Sequence, residues 1–329
     1  MKLVTFREGN AERFGALLGD DRVLDLAAAF AWHEQDQKTG HDVAEKYGRD
    51  LVGFIDRQDV AMPVAAALLA RAKEGALATL PLAKVQLLSP IPRPPSMRDG
   101  YAFRQHVLTA RRNRGLEMIP EFDQFPVFYF TNHHGVIGPG DVRVLPLHLE
   151  RLDYELEAAI VVGRRGRNVK AATADSHVFG LTIMNDWSAR ALQMEEMKLS
   201  LGPAKGKDFA TALGPYLVTL DELADKTRET PNGKVFDLTM TASINGKEYS
   251  RGNVAEMNWT FAQILERVSY GVDLHVGDVI GSGTVGTGCL LELNGSKITD
   301  NLWLKVGDVV SMQIERLGAL ENRVVAEEV

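Results

Sequence analysis

Residues 152–162 read Leu152-Asp153-Tyr154-Glu155-Leu156-Glu157-Ala158-Ala159-Ile160-Val161-Val162. The run from Ala158 to Val162 is apolar at every position, the pattern of a strand covered on both faces. Glu155 and Glu157 stand two apart at its mouth. At that spacing on a strand, side chains share a face. Two acids side by side repel unless a cation lies between them. A solvated strand edge tolerates such a pair. Acids leading straight into a doubly covered strand lie near the core, where unpaired charge is costly. A divalent metal or a Lys/Arg partner answers that cost.

The rest of the chain sets bounds. There are 329 residues, with 37 Lys+Arg against 44 Asp+Glu, a formal charge of 37 − 44 = −7. That length predicts one large domain, or a large one with a small one. The acidic balance gives no footprint for nucleic acid or an anionic membrane. A single cysteine, Cys289, excludes an intramolecular disulfide and fits a reducing cytosol. The N-terminus is charged too early for a signal peptide, and no apolar run is long enough to span a bilayer. A cytoplasmic protein is expected.

Residues 1–90 read as a small α+β domain. Strands are predicted at 2–6, 14–18 and 23–26, and an Ala-rich helix over 64–78, with Pro63 at its start. The run Pro90-Ile91-Pro92-Arg93-Pro94-Pro95 marks the linker. Residues 91–329 are strand-dominated, with strands expected at 126–131, 154–162, 179–184, 215–219, 237–244, 278–281, 290–293 and 308–314. Turn signals such as Asn245-Gly246 and Asn294-Gly295 separate them. Helices are expected at 101–112, 187–197 and 258–270. Strands and helices do not alternate, so a doubly wound sheet is excluded. The fold class is α+β, mostly β, of sandwich or roll type. Residues 111–124 form a charged loop, mobile or simply solvated.

Further residues bear chemistry. Asp186 follows an apolar run and precedes a predicted helix, as an N-cap or a strand-end metal ligand would. Asp99 and His106, seven apart, would share a face of one helix. That helix is either an exposed one or the carrier of a general base. Arg190 and Gln193, three apart, are either part of a surface pairing with Asp186 or donors for an oxyanion. Two decoys arise. Gly281-Ser282-Gly283-Thr284-Val285-Gly286 matches a dinucleotide fingerprint, but residues 287–295 read as a strand and a turn where the motif needs a helix. Gly202 to Asp208 approaches a P-loop with the wrong spacing and with Asp208 where Ser or Thr is required.

In order along the chain come the Glu155-x-Glu157 strand, Met184-Asn185-Asp186-Trp187-Ser188-Ala189-Arg190, Leu201-Gly202-Pro203 followed by Gly206-Lys207-Asp208-Phe209, and Trp303-Leu304-Lys305-Val306-Gly307-Asp308. Over residues 90–329 this ordered set resembles the fumarylacetoacetate hydrolase family, on its fumarylacetoacetase side. The resemblance implies a mixed β-sandwich roll catalytic domain, a homodimer and a divalent cation, Mg²⁺ first, with Ca²⁺ or Mn²⁺ as alternatives. Asp99, Glu155, Glu157 and Asp186 match the metal-binding carboxylates, with Thr211 nearby. His106 matches the general base and Glu292 the acid that orients it. Arg190, Gln193 and Lys207 match the polar groups around the substrate oxygens. Thr284, Tyr101 and Tyr129 match substrate contacts. Thr109 stands where the acylpyruvase branch has its lid glutamate, and Met197 where the fumarylacetoacetase branch has a tyrosine. The expected activity is metal-dependent hydrolysis of a carbon–carbon bond in a β-diketone acid, fumarylacetoacetate or an acylpyruvate-type compound of aromatic (tyrosine) catabolism. The alternatives are a 2-oxo acid decarboxylase, isomerase or hydratase, or a non-catalytic metal-binding paralogue.

Overall fold

A computed structural model describes residues 1–328. Two sheets enclose the main core. The larger runs in the order Leu80–Pro81, Arg22–Asp25, Ala11–Leu18, Lys2–Glu8, Thr211–Thr219, Val178–Asp186, Leu156–Val162, Val279–Gly281, Met97–Gly100, Phe128–Phe130. The smaller has five strands, Lys247–Asn253, Thr239–Ile244, Val309–Ile314, Gly318–Ala326 and Gly140–Val144. The fold is α+β, with helix and strand contributing 31% and 32% of the chain. Much of that helix lies in residues 1–90.

The strand Leu156–Val162 is central and wholly buried, between Val178–Asp186 and Val279–Gly281. Its alternate residues divide between two cores. Leu156, Ala158, Ile160 and Val162 face the second sheet and pack with Met240, Ala242, Met312 and Leu320. Ala159 and Val161 face the other way, into a core shared with Phe14, Phe30, Phe54 and Leu68 of the N-terminal residues. An apolar residue at every position is what two covered faces require. The N-terminal strands belong to the same sheet, since Lys2 and Leu3 pair antiparallel with Val218 and Leu217.

Several expectations are corrected. The Ala-rich helix spans Gln58–Lys73, with Pro63 inside it. The helix Leu26–Gln37, capped by the Asp25 side chain on Ala28 N–H, appears where the sequence suggests only a strand end. Asp99 and His106 do not share a helix, because Asp99 lies in the strand Met97–Gly100 and His106 in the helix Arg104–Arg112. Residues Leu290–Gly295 are helical rather than a strand. Their N-terminus is capped at long range by Asp153, which accepts from the N–H groups of Leu290 (2.7 Å) and Leu291 (3.0 Å). A helix therefore does come after the apparent dinucleotide motif. The motif still fails, because the Gly283 N–H that would meet a phosphate is bonded to Asp99 and Glu157, at 3.1 Å each.

Ile160 is fully buried between the sheets. Ile160→Ala is expected to cost about 2–5 kcal/mol by cavity formation, read as a lower urea midpoint at unchanged slope. A loss below about 1 kcal/mol would contradict the doubly covered placement.

Candidate metal and catalytic site

The sheet brings the acids together by its alternation. Asp99 lies two residues beyond Met97, Asp186 two beyond Met184, and Glu157 two before Ala159. Thr211 likewise precedes Leu213. These apolar neighbours all belong to the core shared with the N-terminal residues. The polar residues therefore lie on the same face, at one end of three neighbouring strands and of a fourth, Met97–Gly100, one strand further on. Glu155 lies just outside the strand Leu156–Val162, its N–H donating to Asn185 Oδ1 at 3.0 Å. One carboxylate oxygen from each of Asp99, Glu155, Glu157 and Asp186 lies within 4.8 Å of the others. All four residues are buried. Asp186 is the last residue of its strand, and Ala189 caps the following helix, so the N-cap alternative is set aside.

Two cations penetrate this cluster. Lys207 Nζ donates to Glu155 Oε2 (2.5 Å) and Asp186 Oδ2 (2.8 Å). Arg190 donates from Nε to Asp153 Oδ2 (2.8 Å) and from NH2 to Glu155 Oε1 (2.7 Å). Its NH1 donates to Gln193 Oε1 at 3.0 Å. Arg190 is buried and makes no surface pair with Asp186.

Burial opposes the charge on Glu155, but Lys207, Arg190 and His106 outweigh it and hold this carboxyl below its usual range. Burial opposes the Lys207 ammonium too, and Asp186 and Glu155 more than compensate, raising it. Asp186 is raised by burial against the pull of Lys207. Among the described residues, no Lys or Arg pairs with Glu157 or Asp99 as Lys207 does with Glu155 and Asp186. Burial and then Asp99 and Glu155 push Glu157 well up, and burial and then Asp186 push Asp99 up to about 7.

His106 Nδ1 lies 2.6 Å from Glu292 Oε2, and both residues are buried. An ionised carboxylate only accepts, so this contact places the proton on Nδ1 and leaves Nε2 as the free acceptor. Tyr101 packs edge-on against His106 with centroids 5.7 Å apart, and burial raises its hydroxyl to about 12. The Tyr129 hydroxyl donates to Asp186 Oδ2. Burial, then the charge of Asp186, raises it well above the ordinary phenol. Thr284 Oγ1 points to Glu157 Oε1 at 3.4 Å. Thr211 is buried and pairs with Asp186 across the sheet. Met197, at the position where the resemblance expects a tyrosine, is 52% exposed at the end of its helix. Sequence reasoning misses Asp153. It links the Arg190 guanidinium to the helix that carries Glu292, and its only local signal is its place ahead of Glu155.

A family model described as fumarylacetoacetate (FAA) hydrolase C-terminal matches residues 96–325. The chain belongs to the fumarylacetoacetate hydrolase family. Among curated relatives, it is 30% identical over 281 residues to the mitochondrial oxaloacetate tautomerase Fahd2a of Rattus norvegicus, covering 84% of this chain and 80% of the relative. Among solved structures, the fumarylacetoacetate hydrolase of psychrophilic Exiguobacterium antarcticum matches with TM-score 0.70 and 26% identity, over 99% of this chain and 100% of that one. A Sphingobium sp. SYK-6 maleylpyruvate hydrolase, solved with manganese(II) and pyruvate, shares the fold at TM-score 0.70 and 22% identity, over 100% of both chains.

The side chains of this family member fit a divalent cation. The donors are hard carboxylate oxygens, the set that suits Mg²⁺, Mn²⁺ or Ca²⁺. Among the described residues Asp186 Oδ1 is buried without a hydrogen-bond partner, and such a lone acceptor is costly unless something cationic meets it.

The raised carboxyls have a measurable sign. In the cation-free fold Glu157 must bind a proton that the unfolded chain releases above about pH 4, so this group lowers stability progressively as pH rises above that value. Cation-free Glu157→Gln is therefore expected to be more stable than the parent at pH 8, the difference closing towards pH 4. The same variant should bind Mg²⁺ or Mn²⁺ roughly tenfold more weakly or worse. In the parent, cation affinity should climb with pH through about 7 as Asp99 loses its proton, and keep climbing above it while Glu157 still holds one. Titration calorimetry in two buffers should show the released protons. Equal stability of parent and variant at pH 8 would refute this account of Glu157.

Proposed function

We propose that this family member is a metal-dependent hydrolase that cleaves a carbon–carbon bond in a β-diketone acid, fumarylacetoacetate or a related acylpyruvate-type compound. The observation that carries the proposal is the buried His106–Glu292 pair beside the carboxylate cluster, at 2.6 Å. Hydrolysis needs a base for water, and a histidine oriented by a carboxylate is the usual device. A divalent cation held by Asp99, Glu155, Glu157 and Asp186, Mg²⁺ in the first instance, would supply a Lewis acid and template for the substrate oxygens.

The remaining steps belong to the chain. His106 Nε2 takes a proton from water as its oxygen bonds to one carbonyl carbon, and Glu292 stabilises the imidazolium. The carbon–carbon bond then breaks, its electrons leave as an enolate, and the proton on His106 returns to that fragment. Lys207 has three N–H bonds and gives two to Glu155 and Asp186, leaving one for the developing oxyanion. Gln193 offers its amide N–H₂, since its oxygen is occupied by Arg190. Tyr101, Tyr129 and Thr284 flank the substrate. Residues 1–90 act as a small structural domain beneath the site. A homodimer in the cytoplasm completes the proposal, with Val127 and Phe130, exposed at the end of the large sheet, offering an apolar edge to a second copy.

A second reading keeps the site and changes the reaction. The tautomerase name of the rat relative supports proton transfer between carbon and oxygen of a 2-oxo acid, which needs the cations and a base but no nucleophilic water. His106→Ala should lower hydrolysis of fumarylacetoacetate or an acylpyruvate by roughly 10²–10⁴-fold while leaving Mn²⁺ affinity within about twofold. Absorbance assays comparing those substrates with oxaloacetate decide between the readings. Hydrolysis unchanged in the variant refutes the assigned base, and turnover of oxaloacetate alone favours tautomerisation.

A further inference from the structure

We propose that Glu196 is a positioning residue that latches the loop delivering Lys207 into the site. Its catalytic consequence rests on the hydrolase reading above, whereas the latch itself does not. Arg190, Gln193 and Glu196 follow one another at three-residue intervals on the helix Arg190–Met197. The first two reach the site. The third turns to the backbone of the loop that returns to it. Glu196 Oε2 accepts from Ala204 N–H (2.9 Å) and Gly206 N–H (3.3 Å), and Oε1 accepts from Lys205 N–H (2.6 Å). Three successive amides thus converge on one carboxylate immediately before Lys207.

The surrounding contacts make the latch specific. Ala189 N–H donates to Gly206 O at 2.8 Å, and Lys207 and Asp208 N–H donate to Ala204 O at 2.9 and 3.0 Å. A Cβ on Gly206 would lie 2.6–2.7 Å from Gln193 atoms, including its backbone nitrogen and Cα, so the loop lies directly on the helix. Upstream there is little apolar anchorage, since Leu199 and Leu201 are 82% and 80% exposed. Lys207 pays desolvation on entering the cluster, and a loop free to swing outward would withdraw it into water. The carboxylate prevents this because a charged acceptor binds N–H groups about twice as strongly as a neutral one. A glutamine at this position has one acceptor oxygen, and its amide N–H₂ would face a backbone donor.

The test uses the full chain with saturating Mg²⁺ and an acetylating reagent, followed by peptide mass spectrometry. In the parent, Lys205, whose side chain is 70% exposed, should label fast, and Lys207, 5% exposed, slowly. Glu196→Gln and Glu196→Ala should speed labelling of Lys207 by roughly tenfold or more, the loss of charged hydrogen bonds, with Lys205 changed less than about twofold. Amide exchange in Val178–Asp186 should stay as slow as in the parent, which a general loosening of the fold would not allow. Turnover should fall by a similar factor in Glu196→Gln, and adding that change to Lys207→Met should lower it no further. Lys207 labelling unchanged in both Glu196 variants, or multiplying losses in the double variant, overturns the latch. Faster labelling in a protein whose parent hydrolyses no diketo acid sustains the latch and removes only the hydrolase reading.

Discussion

Everything in the catalytic half answers to one electrostatic constraint. Asp99, Asp153, Glu155, Glu157 and Asp186 are all buried, and Arg190 and Lys207 are the cations buried with them. If all ionise, the balance is −5 + 2 = −3. A fold does not keep such a charge out of water unaided. The structure divides the load unevenly. Asp153, Glu155 and Asp186 receive the cations directly, whereas Glu157 and Asp99 receive backbone N–H and each other. The unbalanced side is where protons accumulate without a metal, and where a divalent ion lowers the energy most. Site and cation are thus complementary by charge count as well as by donor type.

The sheet makes this concentration possible because pleating sorts side chains by parity. One residue of shift in Val178–Asp186 would turn Asp186 towards the other core and Asn185 towards the acids. Register is held by apolar residues two positions away, which pack with the N-terminal helices. Residues 1–90 therefore position the acids without touching them, by fixing the layer in which Met97, Ala159, Met184 and Leu213 are buried.

That division explains what the sequence disclosed. The continuous apolar run after Glu157 announces a doubly covered strand, and the acid spacing announces charge at its mouth. Both are local patterns. The helix Leu290–Gly295 is hidden because its apolar–acidic alternation suits a strand, and its cap, Asp153, lies 137 residues away in sequence. The spacing of Asp99 and His106 suits a single helix. Gly100 ends the strand and Arg104 starts the helix, so the two reach the site from different elements. Helix Leu26–Gln37 shows no clear stripe in the sequence, because Ala and Trp also occupy its outer side and its buried face, Leu26, Ala29, Phe30 and Glu34, ends in an acid. The family resemblance supplies the Glu292 partner of His106, which no spacing rule connects.

The site consists of two parts with different chemical demands. Carboxylates that could hold a divalent cation, with Lys207 and Arg190 among them, are the kind of set that suits a chelated oxo acid and its enolate. Hydrolysis and tautomerisation both need this, so it cannot discriminate between them. The His106–Glu292 pair can discriminate, because attack by water requires a base whose free nitrogen faces a carbonyl carbon, whereas tautomerisation requires one facing a carbon-bound or enol proton. That nitrogen is placed by the approach of Arg104–Arg112 to Leu290–Gly295, since His106 lies on one helix and Glu292 on the other. The contact between these helices, held in part by Asn113 Nδ2 on Glu292 O (3.3 Å) and Ser296 Oγ (3.1 Å), therefore sets the direction of the His106 ring, a variable on which hydrolysis and tautomerisation differ.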